Sequence, residues 1–429
     1  MKHHLFFSLA VFFYCHSAFA QPGTLDKSFG SSGIVTTSFN GKAINAIGVG
    51  VQPDGKIVVA AKSGSINDGD IVVLRYNADG STDNSFNRNG YVVTNIENDH
   101  ASDIKLQSDG KIVVAGYTNK EDSSIALLLR YNTDGTPDKS FGVNGVVKGR
   151  RETKTLFYGL TIQPDGKIVG AGAVIRSFTD YRTLLFRVNS DGTPDEKFGS
   201  KGMVLTNLSY EPGRALTVLM RKNKTLLTAG YNLKGGNYNF ELYDFNEYGL
   251  TSWSEMNKEG RVNINVKDNF SKANSIGVQE DGKILMGGTA GENAKSDFAI
   301  IRLTELGKLD KGFGSGGKVI TDVSTNSGED NLSAMVLQND GKILIAGESD
   351  SGKRDGTIEM PNAVIVRYNA DGNLDNSFGT GGVSKYLANE NTYYYINSMA
   401  LQTDGKIIIA GSVRNKSGSI EIILFRYNN

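Results

Sequence analysis

Three side chains near residue 100 have the types that proton-transfer chemistry uses. They are His100, Asp103 and Lys105. An imidazole, a carboxylate and an amine in a cleft can hold or move a proton when their environments shift their titration. Asp103 and Lys105 stand where equivalent segments carry small or neutral residues, such as Gly48, Gly159, Ser275 and Ala334. A buried ion pair accounts for the same two residues without a substrate, and this is the reading preferred here. His100 is the only histidine beyond residue 16, so a Ser-His-Asp triad would have to use it. No Ser sits in a G-x-S-x-G elbow, and no Gly-rich phosphate loop precedes a helix. The sequence points away from an enzyme and implies no cofactor.

Two other patterns bear on ligands. Asn77-x-Asp79-Gly80-x-x-Asp83 offers oxygen ligands at calcium-loop spacing, but the segment continues as Ser-Phe without the late bidentate acid that calcium sites use. An Asx turn, with side chains satisfying backbone N–H groups, is the preferred reading, and no metal is expected there. Aromatic residues in variable segments form the second pattern: Phe178, Tyr181, Tyr210 and the run Tyr393-Tyr394-Tyr395. Tyr presents stacking area with a polar tip, which suits a glycan or protein contact.

Composition limits the functions available. The 429 residues carry 46 Lys+Arg and 46 Asp+Glu, so no basic excess serves a nucleic-acid backbone. The single Cys, Cys15, allows no intrachain disulfide and no Cys-based zinc site. With 52 Gly and only 7 Pro, the chain reads as turn-rich and all-β. Residues 1–20 read as a secretory signal peptide: Lys2, an apolar run Leu5–Tyr14, then Ala18-Phe19-Ala20. Gln21 is then the expected mature N-terminus, and the expected destination is the periplasm or the extracellular space. No later stretch is apolar enough for a membrane span.

The elements that must position these residues come from a repeat. Gln-Pro-Asp-Gly-Lys-Ile-Val-Val-Ala recurs, with Asp-Gly-Lys at Asp54, Asp109, Asp165, Asp281, Asp340 and Asp404 and a degraded copy at Asn223; successive copies lie 55 to 64 residues apart. A second block, Arg75-Tyr-Asn-Ala-Asp-Gly-Ser-Thr-Asp-Asn-Ser-Phe, recurs in phase at Arg130, Arg187, Arg302 and Arg367. Each unit reads as four strands; in the second copy these are Ala101–Gln107, Lys111–Tyr117, Ile125–Asn132 and Gly145–Lys148. The second strand is apolar throughout, so both its faces are buried. Seven units of stacked four-stranded antiparallel sheets predict an all-β, seven-bladed β-propeller spanning 21–429 as one domain. Strand Gly33–Phe39 has no preceding three, and Ile420–Asn428 no following fourth, so the two ends are expected to complete one blade together.

These blocks, with Leu-Asp-x-Ser-Phe-Gly-x-x-Gly, resemble the delta-60 repeat of bacterial β-propellers, a longer relative of the NHL-type repeat. The resemblance implies a secreted or surface-associated bacterial protein and no particular activity. Blade four departs from it, with Asp244 in place of Arg and Trp253 near the usual Phe. Repeated Arg residues are expected to pair with turn Asp residues, and repeated Phe to plug the blade seams. Turns between strands one and two and between three and four fall on one uniform face; the remaining connections fall on a variable face. A rigid scaffold with one variable face predicts recognition of a protein or glycan there. A polymer hydrolase or lyase at the channel, and a self-associating surface component, are the alternatives.

Overall fold

The computed structural model describes residues 21–65, 67–149, 154–177, 180–206, 211–251, 260–292, 295–324, 328–350, 361–387 and 392–429. Seven four-stranded antiparallel sheets follow one another around a ring. Blade one comprises Ile44–Val51, Ile57–Gly64, Gly69–Tyr76 and Tyr91–Thr94, and blade two Asn98–Leu106, Ile112–Lys120, Ser123–Tyr131 and Val146–Lys148. Blade seven takes Tyr393–Leu401, Ile407–Arg414 and Ile420–Tyr427 from the end of the chain and Ile34–Thr37 from its beginning. Ile34 lies opposite Phe425 and Thr37 opposite Ile422. Blade one packs on blade seven, so the ring is closed, as the two incomplete terminal units predict.

The second and third strands of each blade are the most buried. Ile112, Val113, Val114 and Ala115 have no exposed surface, and the apolar layers between blades form the core. Each first strand has a bulge at one fixed position, between Ala101 and Asp103 in blade two. The bulge pushes the His100 carbonyl to 2.0 Å from where a Cβ on Gly116 would stand. A side chain there would have to displace that carbonyl, which accounts for the glycine that closes the repeated block in six blades; blade one carries Ala61 instead.

The seams follow from the two repeated blocks. Arg75 donates through Nε to Asp83 at 2.7 Å, and its guanidinium also reaches the carbonyl of Thr133 in the next blade. Lys56, from the Asp-Gly-Lys hairpin, lies 3.0 Å from the same carboxylate. Phe86 is fully buried, 4.7 Å beneath the guanidinium. Its ring lies where a Cβ on Gly135 of the next blade would stand, 2.8 Å away, and φ there is +88°. Burial alone would raise the Asp83 pKa, but the Ser85 and Lys56 hydrogen bonds and the Arg75 charge outweigh it and hold it well below the usual range. The unit recurs at Arg130–Asp138, Arg187–Asp195, Arg302–Asp310 and Arg367–Asp375. At the closure it is assembled from opposite ends of the chain, with Arg426 on Asp26 at 2.8 Å.

Blade four keeps the seam with the charges exchanged. Arg221 stands where other blades carry Gln, and its guanidinium meets Asp244, which stands where they carry Arg. Arg221 Nη1 reaches the carbonyl of Glu305 in blade five at 3.4 Å, the counterpart of the Arg75–Thr133 contact. The guanidinium has moved one strand over while its interblade bond persists. Trp253 lies outside the described residues.

Removing one partner of the closing pair leaves the other charge buried. Arg426→Leu is expected to cost about 3–5 kcal/mol in urea unfolding. The double variant Arg426→Leu/Asp26→Leu should recover most of that loss, because it also removes the buried carboxylate that Arg426→Leu leaves with Lys406, 2.9 Å away, as its remaining cation.

Candidate functional site

The first strands of all seven blades line a central channel of about 610 Å³. Asp103 and Lys105 are the charged residues among its lining, 2.7 Å apart. Asp103 has a structural task as well: its Oδ2 accepts the backbone N–H of Leu160 in blade three at 2.9 Å. At the equivalent register of blade seven, Ser398 Oγ accepts the N–H of Val49 at 3.2 Å. The carboxylate thus does what a serine does elsewhere in the ring. The expected three-residue cluster does not assemble. His100 stacks on Tyr117 with ring centroids 4.6 Å apart and faces Lys62 Nζ of blade one at 3.4 Å. It shares no hydrogen bond or ion pair with Asp103 or Lys105. Burial, and then the Lys62 charge, push the imidazole pKa down to about 4, so it is neutral near pH 7.

The uniform face is consumed by its own hydrogen bonds. Asp79 Oδ1 accepts the N–H and hydroxyl of Ser81 at 2.9 and 2.7 Å, and Asn77 Nδ2 donates to the same hydroxyl at 2.9 Å. Asp83 Oδ1 accepts Ser85 while its Oδ2 faces Arg75 and Lys56. These two cations occupy the ground a metal would need. Among the described residues, Asp297, Asp322 and Asp330 also bring carboxylate oxygens within 4.8 Å of one another. Lys267 Nζ lies 2.5 Å from Asp297, and Asp330 accepts the N–H groups of Val323 and Ser324, so that cluster has its own cation and donors.

The aromatic candidates separate. Tyr394 is 4% exposed and packs edge-on against Tyr386 and Phe425. This corrects its assignment as a ligand contact: strand alternation turns it into the blade core and leaves its neighbours outside. Tyr395 is 42% exposed, and Tyr393 lies under Arg414 at 5.9 Å. Phe178 and Tyr210 lie outside the described residues. Tyr181 has the most developed surroundings. Its ring lies 4.5 Å from the Arg214 guanidinium. It is shared by two clefts, one of about 140 Å³ with Arg214, Tyr231 and Tyr238, the other of about 480 Å³ with Lys154 and Arg176.

Sequence reading missed the residues around Tyr181. Arg214 Nη1 donates to the Tyr158 hydroxyl at 3.3 Å. Lys272 Nζ sits 4.9, 4.6 and 4.7 Å from the rings of Tyr231, Tyr238 and Phe270. Burial, and then the neighbouring Arg214 charge, lower the Lys272 pKa. Among the described residues, no carboxylate forms an ion pair with Lys62, Arg214 or Lys272. A signal was available in the repeat. At one register of the second strand, Thr289 and Ser412 accept backbone N–H groups of Leu332 and Ala46 in the next blade. Glu348 does the same to Ile396. Blades one, two and four place Lys62, Tyr117 and Tyr231 at that register. Blades five, six and seven are therefore stitched at this register, whereas blades one, two and four present a lysine and two tyrosine rings and blade three the small Ala173.

Six segments, 52–86, 107–141, 163–198, 279–313, 338–378 and 402–429, match a family model described as a domain of unknown function (DUF5122) beta-propeller. The chain is a propeller-repeat protein, and the matched segments skip blade four. No curated protein gives a significant match. Similar solved structures include a protein of unknown function from Dyadobacter fermentans, at 12% identity over 92% of this chain and 97% of that one, TM-score 0.43. Sqt1 from Chaetomium thermophilum shares 11% over 91% and 98%, TM-score 0.48. The polysaccharide lyase Uly1 shares 9% over 92% and 98%, TM-score 0.49.

Glu348 supplies a test of the stitched arc. Burial raises its pKa from 4.5 to about 7, against the opposing hydrogen bond from Ile396 N–H. A carboxyl with a raised folded pKa stabilises the fold at low pH, and that contribution is lost as pH rises from about 4.5 to about 7. Glu348→Gln keeps the acceptor and removes the charge. Its melting temperature should exceed the parent's at pH 8, with the advantage shrinking toward pH 5 in a thermal-unfolding series.

Proposed function

We propose that this chain is an exported, non-enzymatic recognition propeller of the delta-60 repeat type, which binds a glycan or protein through its variable face. The observation that carries the reading is the mouth asymmetry. Lys62, Tyr117 and Tyr231 replace residues that stitch adjacent blades, and half-buried cations without carboxylate partners gather around Tyr158, Tyr181, Tyr231 and Tyr238. Giving up interblade bonds for partly exposed rings and charges costs stability that ligand binding explains. On the opposite face the repeated Asp, Lys and Ser side chains are engaged within their own turns and in the seams. Residues 1–20 support export, since their order of charge, apolar run and A-x-A matches a cleavable signal. No described helix is long and apolar enough to cross a membrane.

The alternative of a polymer hydrolase or lyase rests on Asp103, Lys105 and His100. His100 stands apart, and Asp103 is occupied by Lys105 and Leu160. Two carboxylates about 5–10 Å apart, as glycoside hydrolysis uses, do not occur among the channel-lining residues. A self-associating surface component would bury the same variable face against a second copy.

Thermal unfolding of the purified protein against a panel of glycans and candidate protein partners tests the reading. A ligand that binds only the folded state raises the midpoint. The shift should disappear in Tyr231→Ala and persist in Leu306→Ser, which alters an exposed residue of a uniform-face turn. A shift lost in Leu306→Ser and kept in Tyr231→Ala would place binding on the wrong face and end the proposal.

A further inference from the structure

We infer that the cleft around Arg214 and Lys272 binds an acidic carbohydrate, its carboxylate or sulfate held by the two cations and its ring lying on the tyrosines. The inference rests on the variable-face reading above and names the ligand class.

The argument begins with charge. Arg214 and Lys272 come from the first strands of blades four and five, at matching registers before the bulge. Strand stacking brings them to one rim, where the Arg214 charge depresses the Lys272 pKa. Both are half-buried, and aromatic rings rather than acids surround them. Two partly desolvated cations side by side repel each other, and ring faces compensate only in part. The nearby acids are committed elsewhere: Glu211 pairs with Arg261 and Lys234, and Glu241 with Arg261. An incoming anion would relieve the repulsion and find donors already aimed by the Tyr158 hydroxyl contact and the Tyr231–Tyr238–Phe270 enclosure.

The tyrosines then choose among anions. Tyr181 and Tyr238 share the cleft with Arg214, and a ring face with a hydroxyl tip fits the apolar face and hydroxyl edge of a sugar. Extension argues for an oligomer. Tyr181 also walls the larger neighbouring cleft, where Lys154 and Arg176 add positive charge and Asp122 is the acid among the described lining residues. A chain of acidic sugars would cross from one cleft to the other and meet a cation in each. A nucleic acid fits less well, because a chain with equal numbers of acidic and basic residues offers no long basic track.

Titration calorimetry of the purified protein with uronate oligomers, sulfated oligosaccharides and the methyl-esterified uronate oligomer separates the possibilities. The expected result is binding of at least one acidic oligomer, at least tenfold weaker for its neutral ester, and weakened at least tenfold by Arg214→Gln or Lys272→Gln. Arg214→Lys keeps the charge and should retain part of the affinity, and melting temperatures check that each variant is folded. Equal binding of acid and ester, or binding indifferent to both Gln variants, would overturn the acidic-sugar inference while leaving variable-face recognition standing. A single-stranded oligonucleotide bound as tightly as the uronates would overturn it too, by showing attraction to any polyanion. No binding of any acidic oligomer ends the inference, and the Tyr231→Ala panel then decides separately whether the face recognises something else.

Discussion

The seam ion pair is the interaction on which the rest of this molecule depends. Each repeated Arg is bound to an Asp of its own blade, laid over a buried Phe, and extended to the next blade, to a backbone carbonyl or, for Arg367, to the side-chain oxygen of Asn429. A single guanidinium thereby fixes the turn of its blade, the burial of the plug and the placement of the neighbour. Such a pair is a poor source of net stability, because desolvating two charges offsets most of their attraction. Its worth here is geometric. Repeated around the ring, it sets one spacing between adjacent blades, and the glycine above each Phe lets the neighbouring turn come close enough for contact.

This explains why blade four can diverge so far. Arg221 and Asp244 exchange charges between strands, yet the interblade reach to Glu305 is preserved. What the ring requires is a guanidinium at each seam, and the strand that supplies it is free to change. The same logic separates scaffold from recognition on the other face. Ser398 and Asp103 perform one stitch with different side chains. Thr289, Ser412 and Glu348 perform another. Lys62, Tyr117 and Tyr231 abandon it.

The architecture was legible in the sequence because turn chemistry and a buried second strand recur in every unit. Pairing of Ile34–Thr37 with Ile420–Tyr427 followed from counting strands. Tyr181 could be singled out from a variable loop, but its partners could not. Arg214, Tyr231, Tyr238 and Lys272 are spread over four strands of two blades and meet only through pairing and stacking. Tyr394 shows the opposite difficulty: within a run of three tyrosines, the phase of the strand decides which ring is buried, and the phase depends on a bulge at Ile396–Ser398. Asp103 and Lys105 read as chemistry because charge is rare in the channel, while the bond to Leu160 that explains Asp103 comes from the next blade.

The way the ring closes also imposes an order on its assembly. Asp26 and Arg426 are separated by 400 positions in the chain. A chain made N-terminus first, at about 5–20 residues per second, reaches Arg426 roughly 20–80 s after Asp26. During that interval strand Ile34–Thr37 has no partner, and blade one has one face uncovered. Both are features that attract the wrong neighbour. The clasp that leaves the finished ring without a loose edge is thus also the last part that can form, and the completed protein owes its safety from edge pairing to a segment that must first wait exposed.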